Sequence, residues 1–170
     1  MAGYGLPKEQ HLSVVLQNSL ELEGYNIKII NGSVSGSTSA GGLNIADWTL
    51  SENNIDLMIL CLGANDMLRG INPKETKNNL EEIIKIAKSK NIKIIIAGMI
   101  APTSYGFEYK KSFDKIFSDL SKKYKLQLIP FLLEGVAQKP EFNLSDGMHP
   151  NDRGTIIIGN TLKKAILKNL

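Results

Sequence analysis

Four short runs of branched apolar residues, Asn26 to Ile30, Asp56 to Leu62, Ile92 to Ala97 and Leu126 to Phe131, set the tightest limit on what this chain can fold into. Each is nearly continuous in hydrophobicity, which is the pattern of strands covered on both faces in a parallel sheet. Stretches with helical periodicity separate them. Strands alternating with helices in this way form right-handed crossover units, so the expected fold is α/β, a three-layer sandwich around a parallel sheet. Ligands of such sheets bind beyond the carboxyl ends of the strands, and function is therefore expected in the strand-to-helix loops.

The helical stretches carry their own start and stop signals. Pro7 is placed to open a helix with Leu12, Val15, Leu16, Ser19 and Leu20 on its apolar face and Gly24 as terminator. Asn72-Pro73-Lys74-Glu75 supplies a capping side chain, a first-turn proline and an acidic third residue ahead of Leu80, Ile83, Ile84 and Ala87. Further stripes are Tyr109, Phe113, Ile116, Phe117 and Leu120, then Ile158, Leu162, Ala165 and Ile166 after Asn151. All read as packing faces. With no repeat, low-complexity tract or linker, residues 1–170 are expected to form a single domain.

Composition excludes several function classes. The net charge of +3 comes from basic residues scattered along the helices, with no interleaved aromatic platform, so nucleic acid is not an expected partner. No stretch reaches the roughly 18 to 20 apolar residues of a membrane span, and stable membrane insertion is not expected. Met1 to Lys8 have no signal-peptide core. Cys61 is the lone cysteine and sits in an apolar run, where an inert thiol is expected.

Three loops hold residues with chemical potential. In Asp146-Gly147-Met148-His149-Pro150-Asn151 a glycine turn can bring a carboxylate against the Nδ1 proton of a histidine, fixing its tautomer for proton transfer at the other nitrogen. The same residues also fit an Asp-Gly turn with a surface histidine before a helix. Gly63-Ala64-Asn65-Asp66 follows a strand, where the Asn65 amide can donate to a developing oxyanion, or can simply belong to an Asx turn. The glycine- and serine-rich stretch Asn31 to Gly42 can aim backbone N–H groups at an anion. It matches neither the P-loop nor the dinucleotide fingerprint, and a flexible connection or a cradle for a flavin phosphate are its other readings.

Together these loops resemble a known family. Gly36 within Ser-Gly-Ser-Thr, Gly63-x-Asn65-Asp66 and Asp146-x-x-His149-Pro150 are similar to three of the four motif blocks of the SGNH (GDSL-type) hydrolases, most of all the thioesterase I, lysophospholipase and arylesterase branch. Leu68-Arg69-Gly70, Pro102, Tyr105-Gly106, Tyr109 and Ile129-Pro130-Phe131 leading to Glu134 agree with that branch. The resemblance implies a flavodoxin-like arrangement of the sheet and a serine ester hydrolase acting through an acyl-enzyme. Asp146 and His149 would be the acid and base of a triad, Gly36 and Asn65 two oxyanion donors. No metal or organic cofactor is implied. The partner would be a small acyl ester or thioester, met by a monomer in the periplasm. Met67, Leu68 and Tyr105, with Ile100 and Phe142, are candidates to line an acyl groove.

The fourth block, Gly-Asp-Ser-Leu with the serine nucleophile, is not in this sequence. In the family it runs on into a segment like Ala2-Gly3-Tyr4-Gly5-Leu6-Pro7, which would put the serine about two positions before Met1. The family's first strand, interior to the sheet, would be missing with it. Either the chain starts late, the favoured expectation because the other motif residues remain, or the protein is a binding module that has lost its nucleophile. A flavodoxin-like FMN protein is the further alternative. Ser33, Ser35, Ser37 and Ser39 are not expected to substitute, because the family makes their loop an oxyanion contributor.

Overall fold

The structure is a computed structural model that describes residues 3–51 and 55–170. Met1 and Ala2, at the head of the opening segment, lie outside the described residues. In chain order the helices and strands are α1 (Leu12–Leu22), α2 (Ser39–Thr49), β1 (Leu57–Leu60), α3 (Ala64–Leu68), α4 (Pro73–Ser89), β2 (Lys93–Ala97), α5 (Phe107–Tyr124), β3 (Gln127–Ile129) and α6 (Asp152–Leu167). They fall into two compact units, Met1–Ser35 with Leu132–Leu170, and Gly36–Phe131.

The unit Gly36–Phe131 holds a parallel sheet in the order β1-β2-β3. Leu57 pairs with Lys93 and Leu60 with Ile96; Ile95 pairs with Gln127 and Ala97 with Ile129. The α/β expectation with a parallel sheet is thereby met. Ile94 to Ala97 are buried, as a central strand covered on both faces requires. Among the described residues β1 has a ladder neighbour on one side only, and Leu57, Met58 and Ile59 remain half-buried. β3 ends at Ile129, whose carbonyl accepts from the Gly98 N–H at 2.8 Å.

α4 and α5 pack on the sheet and on each other. The start signal of α4 operates as read: Pro73 occupies the first turn and the Asn72 side chain accepts from the Lys74 N–H. The α5 stripe forms a run of ring contacts, Tyr109 to Phe113 at 6.1 Å and Phe113 to Phe117 at 5.7 Å. Cys61 follows β1 half-buried, and its burial pushes the thiol up, away from reactive thiolate.

In the other unit α1 lies against α6. Gly159 faces Val15 and Leu12, and the Lys163 ammonium donates to Ser19 at 2.8 Å and pairs with Glu23 at 2.5 Å. The core is Leu12, Leu16 and Leu20 with Ile158, Leu162 and Ile166. Pro7 leads into a short 3-10 turn, Lys8–Gln10, and α1 itself begins at Leu12, because the backbone of His11 between them is extended. Gly24 ends α1 at φ +84, with the Tyr25 N–H bonded to the Leu20 carbonyl.

The expected strand Asn26 to Ile30 is not formed. A strand exists by its ladder, and none of the described strands pairs with this segment. Its backbone is held instead by one side chain of α1: Gln17 donates to the Ile27 carbonyl at 2.6 Å and accepts from the Ile29 N–H at 2.7 Å. Ile30 stands 50% exposed. Continuous hydrophobicity identified a segment fit to be a strand, without supplying its neighbour.

Candidate active site

The unit Met1–Ser35 with Leu132–Leu170 contains the Asp146–His149 couple. The loop that carries it is pinched at its base by an antiparallel bridge, with the Leu144 N–H donating to the His149 carbonyl at 2.7 Å and the Asn151 N–H to the Phe142 carbonyl at 3.0 Å. Buried Asn143 braces it by donating to the Val136 and Lys139 carbonyls, both at 2.8 Å. At the tip Gly147 takes φ +68, which a side chain would disfavour. Asp146 Oδ1 accepts from the backbone N–H groups of Met148 at 2.9 Å and His149 at 3.0 Å, and Oδ2 lies 2.7 Å from His149 Nδ1. The backbone N–H of His149, then that of Met148, then the imidazole hold the Asp146 carboxyl down at about 2. It is an anion through the neutral range.

A carboxylate at 2.7 Å requires a proton on Nδ1, so the lone pair of the neutral ring is on Nε2. The arrangement can therefore take a proton at Nε2 and stabilise the resulting imidazolium. Tyr4 lies on the imidazole, ring centroids 4.4 Å apart.

The unit Gly36–Phe131 contains the expected anion-binding residues. Gly36 takes φ +73, and Arg69 donates to its carbonyl at 2.9 Å. The loop ends at Thr38, whose hydroxyl caps α2 by accepting from the Gly41 N–H, so Ser39 to Gly42 are helical. Asn65 sits in the short helix α3, entered directly from Gly63 at φ +110. One N–H of its amide donates to the Ser37 carbonyl at 3.1 Å, which fixes the amide plane and leaves the second N–H of the same nitrogen for an acceptor.

Beside Asn65 stands a residue for which motif reading found no task. Asp66 is fully buried; it accepts from the Ser39 N–H at 2.7 Å, from the Ser39 hydroxyl, and from Thr76 at 3.2 Å. Asn79 in turn donates to Ser39 at 3.0 Å. This network ties the start of α2 to α3 and α4. The signal available in the sequence was the acidic residue next to Asn65, inside an otherwise buried segment.

The three candidates for an acyl groove differ in exposure: Met67 is buried at 8%, whereas Leu68 is 42% and Tyr105 47% exposed. Tyr105 donates to the Leu68 carbonyl at 2.9 Å, and Tyr109 to that of Ile71 at 3.0 Å. Burial raises the Tyr109 phenol, keeping it a donor.

Residues 1–155 match the model of the GDSL-like lipase/acylhydrolase family. The chain belongs to that family. An arylesterase of Vibrio mimicus is 34% identical over 169 residues, covering 99% of this chain and 84% of that protein. The crystal structure of TesA superposes with a TM-score of 0.93 at 32% identity, over 99% of this chain and 94% of that one. AlinE4, an SGNH-hydrolase family esterase, gives a TM-score of 0.82 at 38% identity, over 99% and 90%. The family match runs through the glycine- and serine-rich loop, so the FMN reading of that loop gives way to a hydrolase. No helix among the described residues is long and apolar enough to cross a membrane.

Proposed function

We propose that the protein hydrolyses small acyl esters or thioesters through an acyl-enzyme, with His149 carrying the proton. The observation that supports this most is the 2.7 Å contact between His149 Nδ1 and an Asp146 carboxylate that stays ionised far below neutral pH. The nucleophile in this reading is a serine of a Gly-Asp-Ser-Leu segment ahead of Met1, the whole forming one hydrolase domain. The serine hydroxyl gives its proton to His149 Nε2 as its oxygen attacks the acyl carbon. The carbonyl oxygen becomes an oxyanion, which the Gly36 N–H and the Asn65 amide receive, each such donor being worth about 3 to 4 kcal/mol in the transition state. As the tetrahedral species collapses, the alcohol or thiol leaves with the proton from Nε2. Water then repeats the sequence on the acyl-serine.

Asn65 is suited to its part because Ser37 holds the amide before any charge develops, and a preorganised donor needs no reorientation during reaction. Leu68 and Tyr105, both exposed, and Met67, which is buried, are the proposed contacts for the acyl chain. A monomer exported to the periplasm completes the proposal.

The test joins a Gly-Asp-Ser-Leu segment to the chain ahead of Met1 and assays p-nitrophenyl esters and an acyl thioester. Hydrolysis that depends on the added serine and on His149 is the expected result. A joined chain that folds and is inert, or one whose rate is indifferent to His149→Ala, overturns the reading in favour of a binding module.

A further inference from the structure

The segment Gly3-Tyr4-Gly5-Leu6, to which the hydrolytic reading gives no task, is held in a defined turn. The Leu6 N–H donates to the Gly3 carbonyl at 3.1 Å, and His11 Nε2 lies 3.1 Å from the Leu6 carbonyl. Gly3 has φ +76, and a Cβ on it would fall 2.1 Å from the His11 ring. Gly5 has φ +71, and its Cβ would fall 2.7 Å from the Leu144 side chain. The turn is thus seated between His11 and Leu144, and Leu144 is the residue whose N–H bonds the His149 carbonyl. Neither glycine position has room for a side chain.

Tyr4, between the two glycines, lays its ring on the imidazole of His149 with centroids 4.4 Å apart and planes inclined by 34°. Tyr4 is not there to be buried, because the residue is 59% exposed. His149 is likewise exposed, with 42% of its side chain accessible, so no core packing fixes its ring. Asp146 holds the imidazole at one edge only. A ring tilted against the imidazole at this distance opposes rotation of the imidazole about its remaining bonds.

We propose that Tyr4 is a positioning residue for His149: set against the imidazole from the Gly3–Leu6 turn, it keeps Nδ1 against Asp146. This rests on the reading of His149 as the proton carrier. The imidazole meets the Asp146 carboxylate on its own loop and the Tyr4 ring from the turn. His11 touches Gly3, and serves as an internal reference.

The test uses the 170-residue chain itself and needs no turnover, because its two histidines can be followed as separate ring signals by NMR. The unmodified protein should show cross-relaxation between the Tyr4 and His149 rings, and the nitrogen shifts of the neutral His149 ring should report the proton on Nδ1. Tyr4→Leu should move those shifts toward the mixture of tautomers of an unrestrained ring. Tyr4→Phe should leave them in place, showing that the ring and not the hydroxyl acts. Asp146→Asn is the control for the couple and should move the proton to Nε2. Tyr4→Leu shifts equal to those of the unmodified protein, or absent cross-relaxation, overturn the positioning role. If Asp146→Asn also has no effect, the Asp–His couple itself falls and the hydrolytic reading with it. Should Tyr4→Leu disturb His11 and so unseat the turn, Tyr4→Phe decides: displaced shifts in that variant refute the proposal, and unchanged ones together with the cross-relaxation sustain it.

Discussion

Asp146 and Asp66 are both held by two or more donors, yet they differ in nearly every other respect. Asp146 stands on a loop with 38% of its side chain accessible, and its partners Met148 and His149 lie two and three residues away. Asp66 is 0% exposed, and its partners Ser39 and Thr76 lie 27 and 10 residues away. One carboxylate is organised by the turn it belongs to, the other by the packing of three helices. An exposed carboxylate can be removed without collapsing anything, because water takes over its donors. A buried one cannot, because its partners have no water to turn to.

The sharpest way to break this comparison is to ask each aspartate for the other's phenotype. In the chain joined to a Gly-Asp-Ser-Leu segment, Asp146→Asn should lower kcat by a factor on the order of 10⁴, since the amide favours the wrong tautomer of His149. Its thermal midpoint should fall far less than that of Asp66→Ala, because the carboxylate is exposed and water takes over its donors. A stability loss as large as that of Asp66→Ala would mean that Asp146 is a structural residue. Asp66→Ala should do the reverse in the chain as it stands, losing about 3 to 5 kcal/mol in urea denaturation by orphaning the Ser39 and Thr76 donors. A loss within about 1 kcal/mol would show that those helices are held by their apolar contacts alone.

The same contrast explains what was legible in the sequence. Asp146 and His149 could be read from the sequence because a three-residue offset through a glycine turn is local geometry, and so could the Asn72 cap, which acts within its own helix. The parallel strands β1, β2 and β3 were visible from continuous hydrophobicity. Asn26 to Ile30 had the same composition and no ladder, because pairing is a property of a neighbour and not of the segment. Asp66 appeared only as a letter in a motif: nothing in its neighbourhood predicts Ser39, Thr76 and Asn79 as its company. Arg69 on the Gly36 carbonyl and Tyr4 on His149 were invisible for that reason as well.

Asn65 sharpens the comparison from the side of Asp66. Its neighbour fixes the start of α2, and Ser37, two residues before that start, holds the Asn65 amide. Asn65→Ala should therefore reduce kcat in the joined chain by about 10² to 10³ with KM nearly constant, the signature of a contact made in the transition state. A change confined to KM would assign Asn65 to ground-state binding.

The smallest effect concerns what holds the Asp146 carboxyl down. Its folded-state value of about 2 lies below the ordinary 3.8, so its contribution to stability is in full force above the ordinary range and is lost as pH falls through about 2. The backbone N–H groups of His149 and Met148 act more strongly on it than the imidazole does. His149→Ala removes the ring and keeps both N–H groups, so the carboxyl midpoint, followed by carbon NMR in acid, should rise only part of the way to 3.8. A full return to 3.8 would mean that the charge of the ring, and not the turn, keeps Asp146 ionised. Asp146 would then depend on its partner as Asp66 depends on its own, and the distinction between a turn-built and a packing-built carboxylate would be lost.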